Sequence, residues 1–239
     1  MPATSDVRLL SRAQRELAVR SQRELRRFWA ALDLERPERV RDELLAFVPA
    51  LTTAYGAAGA VVAADWYDEV RAAEGVPGRF RAVMAEPFPD EFVQSRVRYG
   101  ARHLFTEAPE RALPFLTGAV QEYVIQPARD TISRSSAADP RASGWHRQAQ
   151  ADACSFCRML VGRGGVYRRE SAAFAAHAHC NCVAVPSWDP NAPEVPVVTY
   201  TASERNGALR ARAARGSKSA QRALEDNRRR VREHIAANY

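Results

Sequence analysis

All four cysteines of this 239-residue chain lie in one short segment. Cys154-Ser-Phe-Cys157 comes first. A loop of 22 residues separates it from Cys180-Asn-Cys182, with His177 and His179 just ahead. No other feature constrains the fold as strongly. Each cysteine pair is a knuckle with two soft donors, and the loop must fold back to bring the knuckles together, as closure of a tetrahedral metal site requires. Clustered cysteines favour a metal over a disulfide in a reducing cytoplasm. Six donors compete for four positions, and spacing alone does not choose among them. A closed four-ligand site leaves no position for water, so the expectation is a structural zinc. Four cysteines buried simply as small apolar side chains rank below it on spacing.

The first 140 residues have helical periodicity. Leu10, Ala13, Leu17, Ser21, Leu25, Phe28 and Leu32 recur at three- and four-residue steps within an Arg-rich amphipathic segment. After Arg36-Pro37 a second stripe runs from Val40 through Leu44, Phe47, Leu51, Tyr55, Val62 and Trp66 to Val70. It predicts a long helix, with a break expected near Pro49. Gly56-Ala-Ala-Gly59 allows a second helix backbone to approach closely. Gly75-Val-Pro-Gly78 should end the helix, and residues 79–90 should be extended. Asp90 is expected to cap a third helix, and a fourth should begin at Pro109. Pro127 should kink or restart that helix, leaving a short further one at Arg129–Ser135.

Beyond Asp139-Pro140 the helical period is lost. Gly165-Val-Tyr167 and Val183-Ala-Val185 are β-prone. The fold class expected is therefore mainly α. A helical body (1–140) precedes a small α+β Cys/His domain (141–188), a Pro-rich linker (189–200) and a basic helical tail (201–239) divided at Gly216.

Most of the net charge of +7 sits in the tail, where nine arginines and Lys218 face Glu204, Glu225, Asp226 and Glu233. Such a tail either contacts nucleic-acid phosphates or is a solvated charged helix face. No stretch approaches the roughly 18 uninterrupted apolar residues of a membrane span, and the N-terminus has no signal-peptide core. A soluble protein with no membrane partner is expected. Catalytic readings fit less well. A zinc deaminase needs His-x-Glu ahead of Pro-Cys-x-x-Cys, and here Ala151-Asp-Ala153 precedes Cys154. A redox Cys-x-x-Cys belongs to a βαβ unit, and no phosphate-cradling glycine loop is present. The alternative to a structural protein is a zinc-containing nucleic-acid enzyme or toxin using the cluster as its active site.

Trp145, Cys154-Ser-Phe-Cys157-Arg-Met-Leu160, Arg163-Gly164, Val166-Tyr167, His177-Ala-His179-Cys180-Asn-Cys182 and Pro186 together carry a resemblance. They resemble the MuF-like minor capsid, or head morphogenesis, proteins of tailed phages. Ala64-Asp-Trp-Tyr67 and Gln126-Pro-Ala-Arg-Asp-Thr131 look like the actinobacterial-phage members. The resemblance covers roughly residues 40–188, and the Cys/His motif is its specific part. It implies that His177 matches the family histidine, so the metal ligands come from Cys154, Cys157, His177, Cys180 and Cys182. It further implies a non-enzymatic, portal-associated virion component. Such a protein is made in the host cytoplasm and packaged inside the head, with portal and capsid proteins as partners. It would aid assembly and genome packaging or ejection, while the tail contacts packaged DNA.

Overall fold

Val7, Leu10, Gln14, Ala18, Ser21 and Leu25 return every three or four positions, and helix α1 (Thr4–Ala30) buries that face. In the computed structural model, residues 2–150, 153–168, 174, 178–195 and 204–238 are described. Helices α2 (Pro37–Ala73), α3 (Asp90–Ala101) and α4 (Ala112–Ala138) complete a four-helix body. Pro37 opens α2 at its first turn, where its missing N–H would be unpaired anyway. Gly75, at a φ of +64°, closes α2. Its N–H donates to Ala72 and that of Val76 to Arg71, the left-handed cap that only glycine adopts without strain. Asp90 is the first residue of α3 and makes no side-chain cap bond, so it acts through its charge near the helix N-terminus and not as the expected cap.

Neither proline divides its helix. α2 runs through Pro49 and α4 through Pro127, so Arg129–Ser135 belongs to α4 and is not a separate helix. Proline withholds the N–H that the carbonyl four residues earlier would receive, and tertiary partners answer both cases. Gln94 of α3 donates to the Leu45 carbonyl at 3.4 Å. The Tyr123 carbonyl faces Gly56 of α2, where a Cβ would stand 3.4 Å from that oxygen and 3.2 Å from the Pro127 ring. A Cβ at Gly59 would stand 3.3 Å from the Val124 carbonyl. The small-residue pair thus marks a tight helix contact, as expected, and α4 is the partner.

Beyond α4, strands β1 (Gly144–Gln148) and β2 (Val183–Ser187) pair antiparallel, from Gly144 opposite Ser187 to Gln148 opposite Val183. The β1 segment, Gly-Trp-His-Arg-Gln, has no strand signal of its own; its partner supplies the order. Tyr167 bridges to Trp145, and Val166 to Glu194. The stretch expected to be an extended linker therefore folds back as far as the buried Val195. α5 (Ser155–Gly162) follows the first cysteine. α6 (Glu204–Ala214) and α7 (Lys218–Asn238) form the tail, divided at Gly216 as expected.

Two apolar clusters run through the body. The far one joins Leu25, Leu44, Leu51, Val97, Leu116 and Val120. The near one joins Leu10, Tyr67, Val70 and Ile132 to Trp145, Cys157, Cys180, Cys182 and Val183–Val185, so the cysteine region and the helices share one core. Among the described residues α2 alone is long and apolar enough to cross a membrane. Here it packs against α1, α3 and α4.

A buried ion pair holds the junction. Arg71 Nε donates to Asp139 Oδ2 at 2.8 Å and Nη2 to Oδ1 at 3.3 Å. Tyr67 and Trp188 donate to Oδ2 at 3.2 and 3.0 Å. Burial opposes ionisation of Asp139, but bonds from Arg71, Trp188 and the Arg141 backbone outweigh it and hold its pKa below the ordinary carboxylate value. A depressed carboxylate pKa contributes stability that is present above the unfolded value, near 3.9, and is lost as pH falls through the folded value. Urea titrations should therefore show stability declining below about pH 4 in the wild type. Asp139→Ala should cost about 3–5 kcal/mol at neutral pH, because it leaves Arg71 buried without its counter-charge.

Candidate metal centre

Three sulfur atoms meet beneath α4. The Sγ atoms of Cys157, Cys180 and Cys182 lie within 4.8 Å of one another, and all three residues are buried. Cys157 and Cys180 approach to 3.6 Å. A tetrahedral zinc with Zn–S bonds of about 2.3 Å sets its sulfurs roughly 3.8 Å apart. The donor type and spacing thus fit one ion, and these three residues are close enough to hold it.

Local structure explains the convergence. Cys154 occupies the N-cap position of α5 with an extended backbone, and Cys157 lies in the first turn. Both side chains of the first knuckle therefore project from one helix start. The second knuckle leads directly into β2. It is preceded by His179 in the left-handed region at a φ of 64°, a conformation in which histidine is among the more tolerant non-glycine residues. A cavity of about 180 Å³ lies between the knuckles, lined by Cys154, Cys157, His179, Cys180, Asn181 and Cys182 among others. Of the five residues named from sequence, four therefore line one space. Cys154 is at its exposed rim, and His177 lies outside the described residues. His179, the histidine not favoured from sequence, is on the cavity wall.

Residues that sequence reasoning missed hold this arrangement. Arg129 of α4 has no solvent exposure. Its Nη2 donates to the Cys180 carbonyl at 2.7 Å and its Nε to the Cys182 carbonyl at 3.0 Å. Its guanidinium also stands 4.8 Å from the centroid of the Phe174 ring, which Arg147 approaches at 3.6 Å. Asn181, between the two cysteines, accepts a bond from Gln121 of α4 at 2.9 Å. Gln121 in turn accepts one from Gln22 of α1 at 2.9 Å. Gly118 leaves room for the His179 imidazole, since a Cβ there would stand 2.9 Å from Nε2. Arg129 falls inside the Gln126–Thr131 segment that carries part of the family resemblance, but its chemistry is visible only once α4 and the second knuckle touch.

The electrostatics are graded across the three thiols. The Cys182 thiol bonded to Cys180 outweighs the opposing effect of burial, and the Arg129 guanidinium adds to it, so the Cys180 pKa is held down to about 4. Burial pushes Cys157 up to about 12. The hydrogen bond to Cys180, reinforced by burial, pushes Cys182 upward as well. One thiolate thus stands ready, and the other two would surrender protons to an incoming cation. Three thiolates exceed a dication by one negative charge, which Arg129 is placed to balance.

Comparison with known protein families matches residues 1–206 to the VG15 protein family. No curated protein matches, and no solved structure does. The family match spans the four-helix body and both knuckles and ends inside α6.

Because Arg129 fixes the carbonyls of two candidate ligands, Arg129→Gln should weaken metal binding by about 10–100-fold, as loss of a group orienting ligands does. Competition of the purified protein against a chromogenic zinc chelator would read this directly.

Proposed function

The chain belongs to the VG15 protein family, a family of phage proteins, and on that premise we propose that it is a structural component of the phage head. We further propose that it is a minor capsid, or head morphogenesis, protein of the MuF-like type. In this reading it associates with the portal, is packaged inside the capsid, and assists assembly and genome packaging or ejection. It is a part of the particle and not an enzyme.

The observation that carries this reading is the position of the cysteines within the shared core. Cys157, Cys180 and Cys182 belong to the same apolar cluster as Leu10, Tyr67 and Ile132, and Arg129 ties their backbone to α4. We propose that the ion is zinc, held by these three thiolates with a fourth donor from the cavity rim or the adjoining loop. Bound there, zinc would close the two knuckles and supply folding free energy. Cross-linking of strands to helices is the contribution expected of a part that must keep its shape within an assembly. The basic tail, with Arg210 and Arg212 on α6, Arg215 in the turn that follows, and Arg222, Arg228 and Arg230 on α7, is proposed to contact packaged DNA.

Mass spectrometry of purified virions should detect the chain at low copy number, and its complete absence from particles would defeat the structural role. Cys180→Ser separates this reading from an enzymatic one. It should abolish zinc binding and lower the thermal midpoint of unfolding sharply. Loss of a nuclease or deaminase activity in a variant as stable as wild type would instead place the cluster in an active site.

A further inference from the structure

The tail is not the only basic element. α1 carries seven arginines against Asp6, Glu16 and Glu24, and all seven are exposed. Five of them share a line. Arg8, Arg12, Arg15, Arg23 and Arg26 follow steps of four and three residues, with Val19 filling the one gap. At 3.6 residues per turn these positions lie within about a quarter of the helix circumference, along roughly 27 Å of axis. Two of the three acids of α1 have partners outside the file: Glu16 pairs with Arg20 at 2.7 Å, while also feeling the charges of Arg23 and Arg12, and Glu24 accepts a bond from the Tyr55 hydroxyl. Among the described residues none of the five ridge arginines forms an ion pair. In the tail, by contrast, Arg229 is held by Asp226 at 2.9 Å and approached by Glu233 at 3.6 Å.

We infer that this arginine ridge is a docking surface for the phosphate backbone of duplex nucleic acid, distinct from the tail and independent of where in the particle the protein resides. Charge complementarity selects the partner. Duplex DNA carries one negative charge per about 1.7 Å of axis, or roughly sixteen over the length of the ridge. The helix holds the five arginine backbones in one file, and their long side chains can reach along such a polyanion. A lipid surface fits poorly, because a membrane-lying helix must offer an apolar face to the acyl chains, and α1 spends Val7, Leu10, Ala18 and Leu25 on the core. An acidic protein partner would be expected to use aromatic anchors near the centre of the contact, and the only apolar side chain in the file is Val19. The ridge presents no helix to a groove and no base-reading set, so binding is to the backbone, irrespective of sequence.

The test is fluorescence anisotropy of the full chain with a labelled mixed-sequence 30-base-pair duplex across a range of salt. Each phosphate contact contributes about −0.9 to the slope of log K against log salt. The triple variant Arg12→Gln, Arg15→Gln, Arg23→Gln should lower the magnitude of that slope by about three. At about 0.1 M salt it should lose two to three orders of magnitude in affinity. Lysine at the same three positions should retain the slope. So should glutamine at Arg36, Arg39 and Arg41, which removes equal charge from arginines already paired with Asp33, Glu43 and Asp42. A slope unchanged in the folded ridge variant would overturn the inference. So would failure of the wild type to bind the duplex at low salt. Binding to polyglutamate or to phosphatidylglycerol vesicles at least as tight as to the duplex would also overturn it.

Discussion

A charge buried without solvent must be matched by its surroundings, and in this protein that charge is the Arg129 guanidinium. Desolvation disfavours its ionised form, while the neighbouring cysteines favour it. It reaches the carbonyls on either side of Asn181, so α4 cannot shift without breaking the second knuckle. Nor can the knuckle refold without stranding a buried cation, a loss of several kcal/mol. The thiols depend on the same contact, since Arg129 helps to keep Cys180 ionised. A bound dication with three thiolates would complete the balance of charge.

The helical body is built around exceptions to local rules. Pro49 and Pro127 each remove a helix hydrogen bond, and each orphaned carbonyl meets another element. Gln94 bonds to one; the bare backbone of Gly56 lets α2 settle against the other. At Pro49 a neighbour's side chain replaces the donor the helix lacks, and at Pro127 the bare Gly56 admits the close approach of α2. These contacts also fix the spacing of α2 and α4, and so the position of Arg129 above the cysteines. The Arg71–Asp139 pair performs the equivalent task at the end of α4, where Tyr67 and Trp188 satisfy the remaining lone pairs.

Charge is distributed by a different logic from the apolar core. Five arginines of α1 lie exposed in a file, while Glu16 pairs with Arg20 and Glu24 accepts from Tyr55. The tail helices carry arginines partly neutralised by their own acids. The two ends of the chain are therefore basic for different structural reasons. α1 is rigid because its opposite face is core, whereas α6 and α7 pack mainly on each other, and α7 also on α5.

Periodicity placed α1, α2 and α4 because an amphipathic helix records its buried face at every turn of its own sequence, and Gly216 marked the division of the tail. Gly56 and Gly59 announced a close contact, and Gly75 a helix end, for the same local reason. The spacing of Cys154, Cys157, Cys180 and Cys182 announced two knuckles that must meet. What the sequence left undecided were relations between distant residues. These include the continuation of helices through Pro49 and Pro127, the existence of β1, the Gln22–Gln121–Asn181 chain and the clamp by Arg129. Each depends on a partner roughly 35 or more positions away in the chain. A residue's own type carries no trace of such a partner. The chain's own order determined the donors, and only the packing of α4 against them decided which three converge and what charge stands beside them.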